Sequence, residues 1–246
     1  MKPTRLILVM IMIANSLDDV IEKKEVQIQK EKFEYTNIPR KLGENTNYIT
    51  LIFNQDCIFT WKNTNIIDKI INNGDEISKI QEIKVKKDTE IQIHFIIKLS
   101  DCSSFFIKNI ETVINKIASV DFSKFDSSNL NAIRYMFEEC KYLKSINFSN
   151  FNTSKIGSFQ KIFFGCSSLK ELDLSHFDIS RATDISGFFE GCSSLEKLDL
   201  SNFNTSNVKT MDRLFYGCSS LKELNLSNFN TDNVTNIEEC FLILHH

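Results

Sequence analysis

The chain is poor in the residues that punctuate turns, with 7 Gly and 2 Pro in 246 residues. That scarcity argues against a turn-rich sandwich and against a collagen-like repeat. It carries 4 His and no Cys-x-x-Cys pair, so a zinc site has no ligand set to draw on. Positive charge is not in surplus: the formal net charge is -3, whereas phosphate recognition needs a basic face, so no nucleic-acid partner is expected. G-x-S-x-G, Walker and H-E-x-x-H motifs are missing, and the repeat phase brings no Cys and His together. Neither an enzyme nor a cofactor is expected. The one long apolar run, Leu6–Ala14, falls short of the roughly 20 residues that span a bilayer, so no transmembrane segment is expected.

That run follows Lys2 and Arg5 and ends in Ala14-Asn15-Ser16, the arrangement of a secretory signal over residues 1–16. The competing reading is a buried first strand or helix of the domain. Residues 17–113 show no clear repeat. Glu25–Gln29, Tyr48–Phe53, Ile83–Val85 and Ile91–Ile93 have strand patterns, and Ile66–Ile71 has helical spacing with Gly74 as a stop signal. This region reads as an N-terminal cap of degenerate repeats or as a small separate domain. Asp101-Cys102-Ser103-Ser104-Phe105 copies the opening Gly-Cys-Ser-Ser-Leu of later units, but stands 38 residues before Cys140. An insertion of 12 residues around 109–117 would restore the phase.

From residue 114 to 246 a 26-residue period governs the chain, with the last unit cut short. Cys140, Cys166, Cys192 and Cys218 mark it, and apolar ladders keep the same phase: Val120, Ile146, Leu172, Leu198, Leu224; Phe125, Phe151, Phe177, Phe203, Phe229; Phe137, Phe163, Phe189, Phe215, Phe241. A fixed period in this range with L-x-x-L-x-L inside it marks a leucine-rich-repeat solenoid. Leu198 and Leu200 alternate as in a strand; Val208, Met211 and Phe215 have a helix period, with Thr205 or Ser206 as cap and Gly217 as stop. The expected fold is therefore α/β: parallel strands on one face of a solenoid, short helices on the other, and an N-terminal cap.

The unit S-L-x-x-L-x-L-S-x-F-x-T-S-x-V-x-x-M-x-x-x-F-x-G-C, carried by Ser194–Cys218, resembles the 26-residue surface-protein repeat of BspA-like leucine-rich-repeat proteins. Ala182 and Glu139–Tyr142 depart from it. The resemblance implies a non-enzymatic protein, secreted or displayed on a cell surface, that adheres to host or matrix proteins. The alternative is an intracellular scaffold or adaptor in the cytoplasm.

Parallel ladders bury side chains together, so the ladder cysteines Cys140, Cys166, Cys192 and Cys218 are expected to be reduced core packing and Cys240 another core filler, although ladder spacing alone would tolerate a disulfide. The outward strand positions are the candidate protein-binding residues on a concave sheet face. They are Asp121, Asn147, Asp173, Asp199 and Asn225 in one column, Glu171, Lys197 and Glu223 in another, and His176 beside them. Any solvated sheet face is polar, so these residues also admit a plain solvation reading. Sequons at Asn147, Asn152, Asn204, Asn225 and Asn233 arise largely from the repeat text. The apolar end Phe241–His246 leaves the last repeat without a polar cap, which predicts a truncated gene product, self-association through that end, or poor solubility.

Overall fold

A computed structural model describes residues 47–59, 61, 66–72, 74–77, 83–106 and 116–241. The signal segment 1–16, the alternating run 25–29, most of the insertion placed around 109–117, and the end 242–246 lie outside the described residues.

The described N-terminal part is an antiparallel β-structure. Its strands are β1 (Tyr48–Phe53), β2 (Cys57–Phe59), β3 (Ile67–Asn72), β4 (Asp75–Ile77), β5 (Ile83–Val85) and β6 (Glu90–Phe95). In β1 the buried residues alternate strictly, Ile49, Leu51 and Phe53 facing inward, which is the period a half-buried strand requires. The segment expected to be helical around Ile66–Ile71 is strand β3. A register shift between Ile67 and Lys69 lets Ile67 and Ile70, three apart, face the same core, and so imitates helical spacing.

The first strand of the 26-residue units is β7 (Ile117–Asp121), which pairs antiparallel with β1 and parallel with β8 (Ser145–Asn147). The resulting six-stranded mixed sheet has the order β4-β3-β6-β1-β7-β8. Further on, β9 (Lys197–Asp199) and β10 (Glu223–Asn225) form a parallel pair, and β2 with β5 makes a third small sheet. One continuous hydrophobic core runs from Ile49 in β1 to Cys240 in the last described unit.

The α/β architecture is overturned. Among the described residues from 117 to 241 there is no helix, only four short strands, isolated bridges and turns. The unit at Ile185–Cys192 shows why. Phe188, Glu190 and Cys192 each donate their N–H to the carbonyl three residues back, at 3.3, 3.1 and 3.0 Å. Between them Gly187, Phe189 and Gly191 donate to Asp212, Leu214 and Tyr216 of the next unit, at 2.8, 3.0 and 2.7 Å. Alternate amides are thus spent within a turn and between units, which leaves none for an i to i−4 ladder. Left-handed residues four apart, Gly187 (φ 58) and Gly191 (φ 76), fold the chain back twice, so inward side chains recur at helical intervals without a helix.

Few glycines did not prevent a turn-rich fold. Tyr135, Lys161, Arg213 and Glu239 take the left-handed position in other units, with φ of 59, 52, 52 and 50. Side-chain amides and carboxylates make further corners, as Asn152, Asp178 and Asn204 do by accepting the N–H two residues on. Thr205 caps no helix; its hydroxyl reaches the next unit at Asn230.

The Asp101 segment also falls in a different register from the one expected. Asp101 bridges Ala132, in the row that continues as Ser158, Asp184, Thr210 and Asn236. Asp101-Cys102-Ser103-Ser104-Phe105-Phe106 therefore matches Asp184-Ile185-Ser186-Gly187-Phe188-Phe189, not the Gly-Cys-Ser-Ser opening. Asp101 and Asp184 each accept the N–H two residues on, and Ser104 has φ 52 where Gly187 has 58. Phe106 starts the aromatic ladder, 5.2 Å from Phe137, which is 5.4 Å from Phe163.

Candidate functional site: the outward face of the repeat strands

The parallel register puts the polar columns side by side. Asp121 stands opposite Asn147 across β7 and β8, and Lys197 and Asp199 stand opposite Glu223 and Asn225 across β9 and β10. Glu171 and Asp173 lie between these pairs, exposed, in a stretch with no strand pairing. His176 is exposed on the turn that follows.

The two columns differ in character. In the first, each side chain turns back on its own chain: Asp121, Asn147, Asp173, Asp199 and Asn225 accept the N–H of Ser123, Ser149, Ser175, Ser201 and Ser227, at 2.6 to 3.1 Å. These residues turn the corner at the end of each strand position. The Ser175 hydroxyl and N–H, with His176 nearby, hold the Asp173 carboxyl below the usual carboxylate range. The Ser201 N–H and hydroxyl do the same for Asp199. The Asn225 side chain adds a further hydrogen bond to Asp199.

The second column is ionic. Lys197 and Glu223 pair at 2.7 Å, a contact that raises the lysine pKa. Lys222 and Glu196 pair at 3.2 Å beside them. Glu171 makes no ion pair among the described residues. It borders a cleft of about 520 Å³ together with Lys144, Asp173, Lys197 and Asp199, and Ile146 and Leu172 lie half-buried at its floor. A second cleft of about 490 Å³ continues the face onto the N-terminal sheet, between Thr50, Glu90, Gln92, Asp121 and Asn147. The sequence carried no signal for this extension, because β1 and β6 lie outside the repeat phase.

Glu190 was not singled out from the sequence. Its carboxylate is buried on the opposite, turn-built side, 3.6 Å from Lys161 and 3.7 Å from Arg213. Burial raises its pKa, and the two cations pull against that. In its row only Glu138 is also a carboxylate, likewise raised in pKa by burial, while Phe164 and Tyr216 break the column that would have marked it. All seven cysteines are free and buried, and the Cys166, Cys192 and Cys218 thiols donate to the Phe137, Phe163 and Phe189 carbonyls at 3.2, 3.3 and 3.1 Å.

Among the described residues no three His, Cys, Asp or Glu side chains are grouped to hold a metal, and no helix is long and apolar enough to cross a membrane.

No curated protein and no solved structure matches the chain. A family model described as "Mycoplasma protein of unknown function, DUF285" matches residues 100–197 and again residues 131–244. The two matches start 31 residues apart, the same displacement that separates Asp101 from its bridge partner Ala132. Together they span 145 of the 246 residues. On that match the chain belongs to the family of the Mycoplasma proteins of unknown function, DUF285.

Proposed function

We propose that this protein is a non-enzymatic binding module whose outward strand face engages a protein partner. The observation that carries the reading is the alignment of Glu171, Asp173, Lys197 and Asp199 around one cleft on an otherwise self-satisfied surface. Stacked repeats present such extended surfaces to partners by their geometry. The resemblance to BspA-like surface repeats, together with the signal-like Met1–Ser16, supports secretion or display and adhesion to a host or matrix protein.

One observation favours the intracellular reading, a scaffold or adaptor. All seven cysteines are buried and unpaired, so the fold does not need an oxidising compartment. The mature N-terminus separates the two: a protein beginning near Leu17 is exported, and cytosolic material beginning at Met1 is not.

The binding reading is tested by affinity capture with the wild type and with Glu171→Lys, compared against Lys209→Glu on the turn-built side. Loss of specific partners with Glu171→Lys alone supports the strand face; an unchanged profile rejects it.

A further inference from the structure

The ladders that build the core do not distinguish one unit from the next. Phe137, Phe163, Phe189 and Phe215 stack at 5.4, 6.0 and 5.6 Å, and Cys140, Cys166, Cys192 and Cys218 are buried alike behind them. Each repeat touches only its neighbours, and folding can begin in any of them. A slip of one whole unit, within one chain or by exchange between two, would therefore cost the core little beyond the unit left out. Only residues outside the ladders can tell the units apart.

The turn-built side carries such residues, and they alternate in charge from unit to unit. Tyr135 and Glu138 stand at the first tip, Lys161 and Phe164 at the second, Gly187 and Glu190 at the third, Arg213 and Tyr216 at the fourth, and Glu239 at the fifth. Lys161 Nζ lies 4.5 Å from the Phe164 ring centre and the Arg213 guanidinium 5.5 Å from that of Tyr216, so each cation rests on the aromatic ring of its own unit. Glu190 reaches between the two cations, 3.6 Å from Lys161 and 3.7 Å from Arg213, and Arg213 meets Glu239 at 2.7 Å. At the other end, burial opposes the charge of Glu138 and Lys161 favours it.

Packing alone gives no reason for the Glu190 carboxylate. Its side chain is 8% exposed, and Oε2 stands too far from Lys161 for a hydrogen bond. Phe164 and Tyr216 fill the same position in the units on either side, and an uncharged residue would avoid the cost of burying a charge. Room for it comes from Gly187, where a Cβ would stand 2.8 Å from that oxygen. The best-attested use of a buried charge kept at such a cost is to fix register.

We infer that Lys161, Glu190 in the space left by Gly187, Arg213 and Glu239 form a register key, which lets a unit stack only on a neighbour of opposite charge. Stacking in sequence order pairs every charge. A slip of one unit sets Lys161 against Arg213, or Glu190 against Glu239. The inference concerns how the array assembles, and it holds whether or not the strand face binds a partner.

Refolding of full-chain variants from urea tests this, read by size-exclusion chromatography, amide NMR spectra and the urea midpoint. Glu190→Tyr removes the charge and installs the ring type of the next unit. Its midpoint should stay at or above the wild-type value, yet its refolded material should hold about tenfold more dimer or alternative monomer. Glu190→Lys puts three cations in line and should lower the midpoint by about 1 M. Adding Glu138→Lys, Lys161→Glu, Arg213→Glu and Glu239→Lys restores the alternation with every sign reversed, and should recover most of that loss despite four more substitutions. Refolding of Glu190→Tyr to a single species like the wild type would overturn the inference, as would a fully reversed ladder no more stable than Glu190→Lys. If Glu190→Lys does not fold, recovery of a cooperative transition by the reversed ladder supports the key. If neither folds, Glu190→Tyr alone decides.

Discussion

Thr205 and Asn230 hold adjacent units together by a reciprocal pair of hydrogen bonds. The Thr205 hydroxyl donates to the Asn230 carbonyl at 2.8 Å and accepts the Asn230 N–H at 2.7 Å. Thr153 and Asp178 repeat the arrangement one pair of units earlier, at 3.0 and 2.8 Å. Thr205 is fully buried, so no water can replace it. Thr205→Val keeps the volume and leaves both Asn230 groups without a partner. A loss of about 1–3 kcal/mol is expected in urea denaturation. Ile179 fills the same row without a hydroxyl, so Ile179→Val, which strands no polar group, should cost less. Equal costs would show that the hydroxyl is not what binds the units.

The buried thiols set an alkaline limit. A free thiol titrates near 9.0; burial pushes Cys218 and Cys240 up to about 12, and pushes Cys140, Cys166 and Cys192 up as well. A raised folded-state pKa means that the folded chain keeps protons the unfolded chain has released. The contribution is whole below pH 9 and is lost as pH rises towards 12, at about 1.4 kcal/mol per pH unit for each thiol. The urea midpoint should fall steeply above pH 9, and Cys218→Ala should make the fall shallower. A thiol reagent should modify these residues only on unfolding. Rapid reaction of the folded protein would contradict their burial.

Gly187 is small for its neighbours' sake. Its row tolerates Tyr135, Lys161, Arg213 and Glu239 at the same positive φ, so backbone conformation alone does not demand glycine. A Cβ there would stand 2.8 Å from Glu190 Oε2 and 2.9 Å from Lys161 Cγ. Gly187→Ala should therefore cost about 1–3 kcal/mol in thermal or urea unfolding, the cost of overpacking. Combining it with Glu190→Ala should return part of that loss. Additive losses would place the strain elsewhere.

The corner-forming column separates by chemistry rather than by charge. Asn147 accepts the Ser149 N–H at 3.1 Å, and Asp173 performs the same task for Ser175 at 2.9 Å. Asn147→Asp should leave the unfolding midpoint near the wild-type value, whereas Asn147→Ala should lower stability by about 0.5–1.5 kcal/mol. Equal midpoints for both variants would remove the corner role from this column.

The ladders were legible because a 26-residue copy brings like residues into register whatever the local backbone does. Phe137, Phe163, Phe189 and Phe215 are buried in one stack, with Phe189 and Phe215 parallel to within 2° at 5.6 Å. The backbone was not legible from the same residues. Met211, Leu214 and Phe215 point inward at helical intervals, but tandem four-residue turns produce those intervals too. The discriminating sign was Gly187, four residues before Gly191 in the middle of the supposed helix, where an isolated helix former would have been expected. In the candidate site the Asp and Asn column was visible as a column, and its role as a corner was not, because an Asx turn and a ligand contact use the same residue types. Glu171 was visible in the second outward column, but the missing strand pairing at residues 171–173 was not, since Leu172 continues the apolar ladder without interruption.

The most direct test of the strand face uses a photo-reactive amino acid placed in turn at Glu171, Asn147 and Lys209 of the full chain in its native cells. Cross-links to the same partner from Glu171 and Asn147, and none from Lys209 on the turn-built side, are the expected result. Cross-links to that partner from Lys209 alone would contradict the assignment of binding to the strand face.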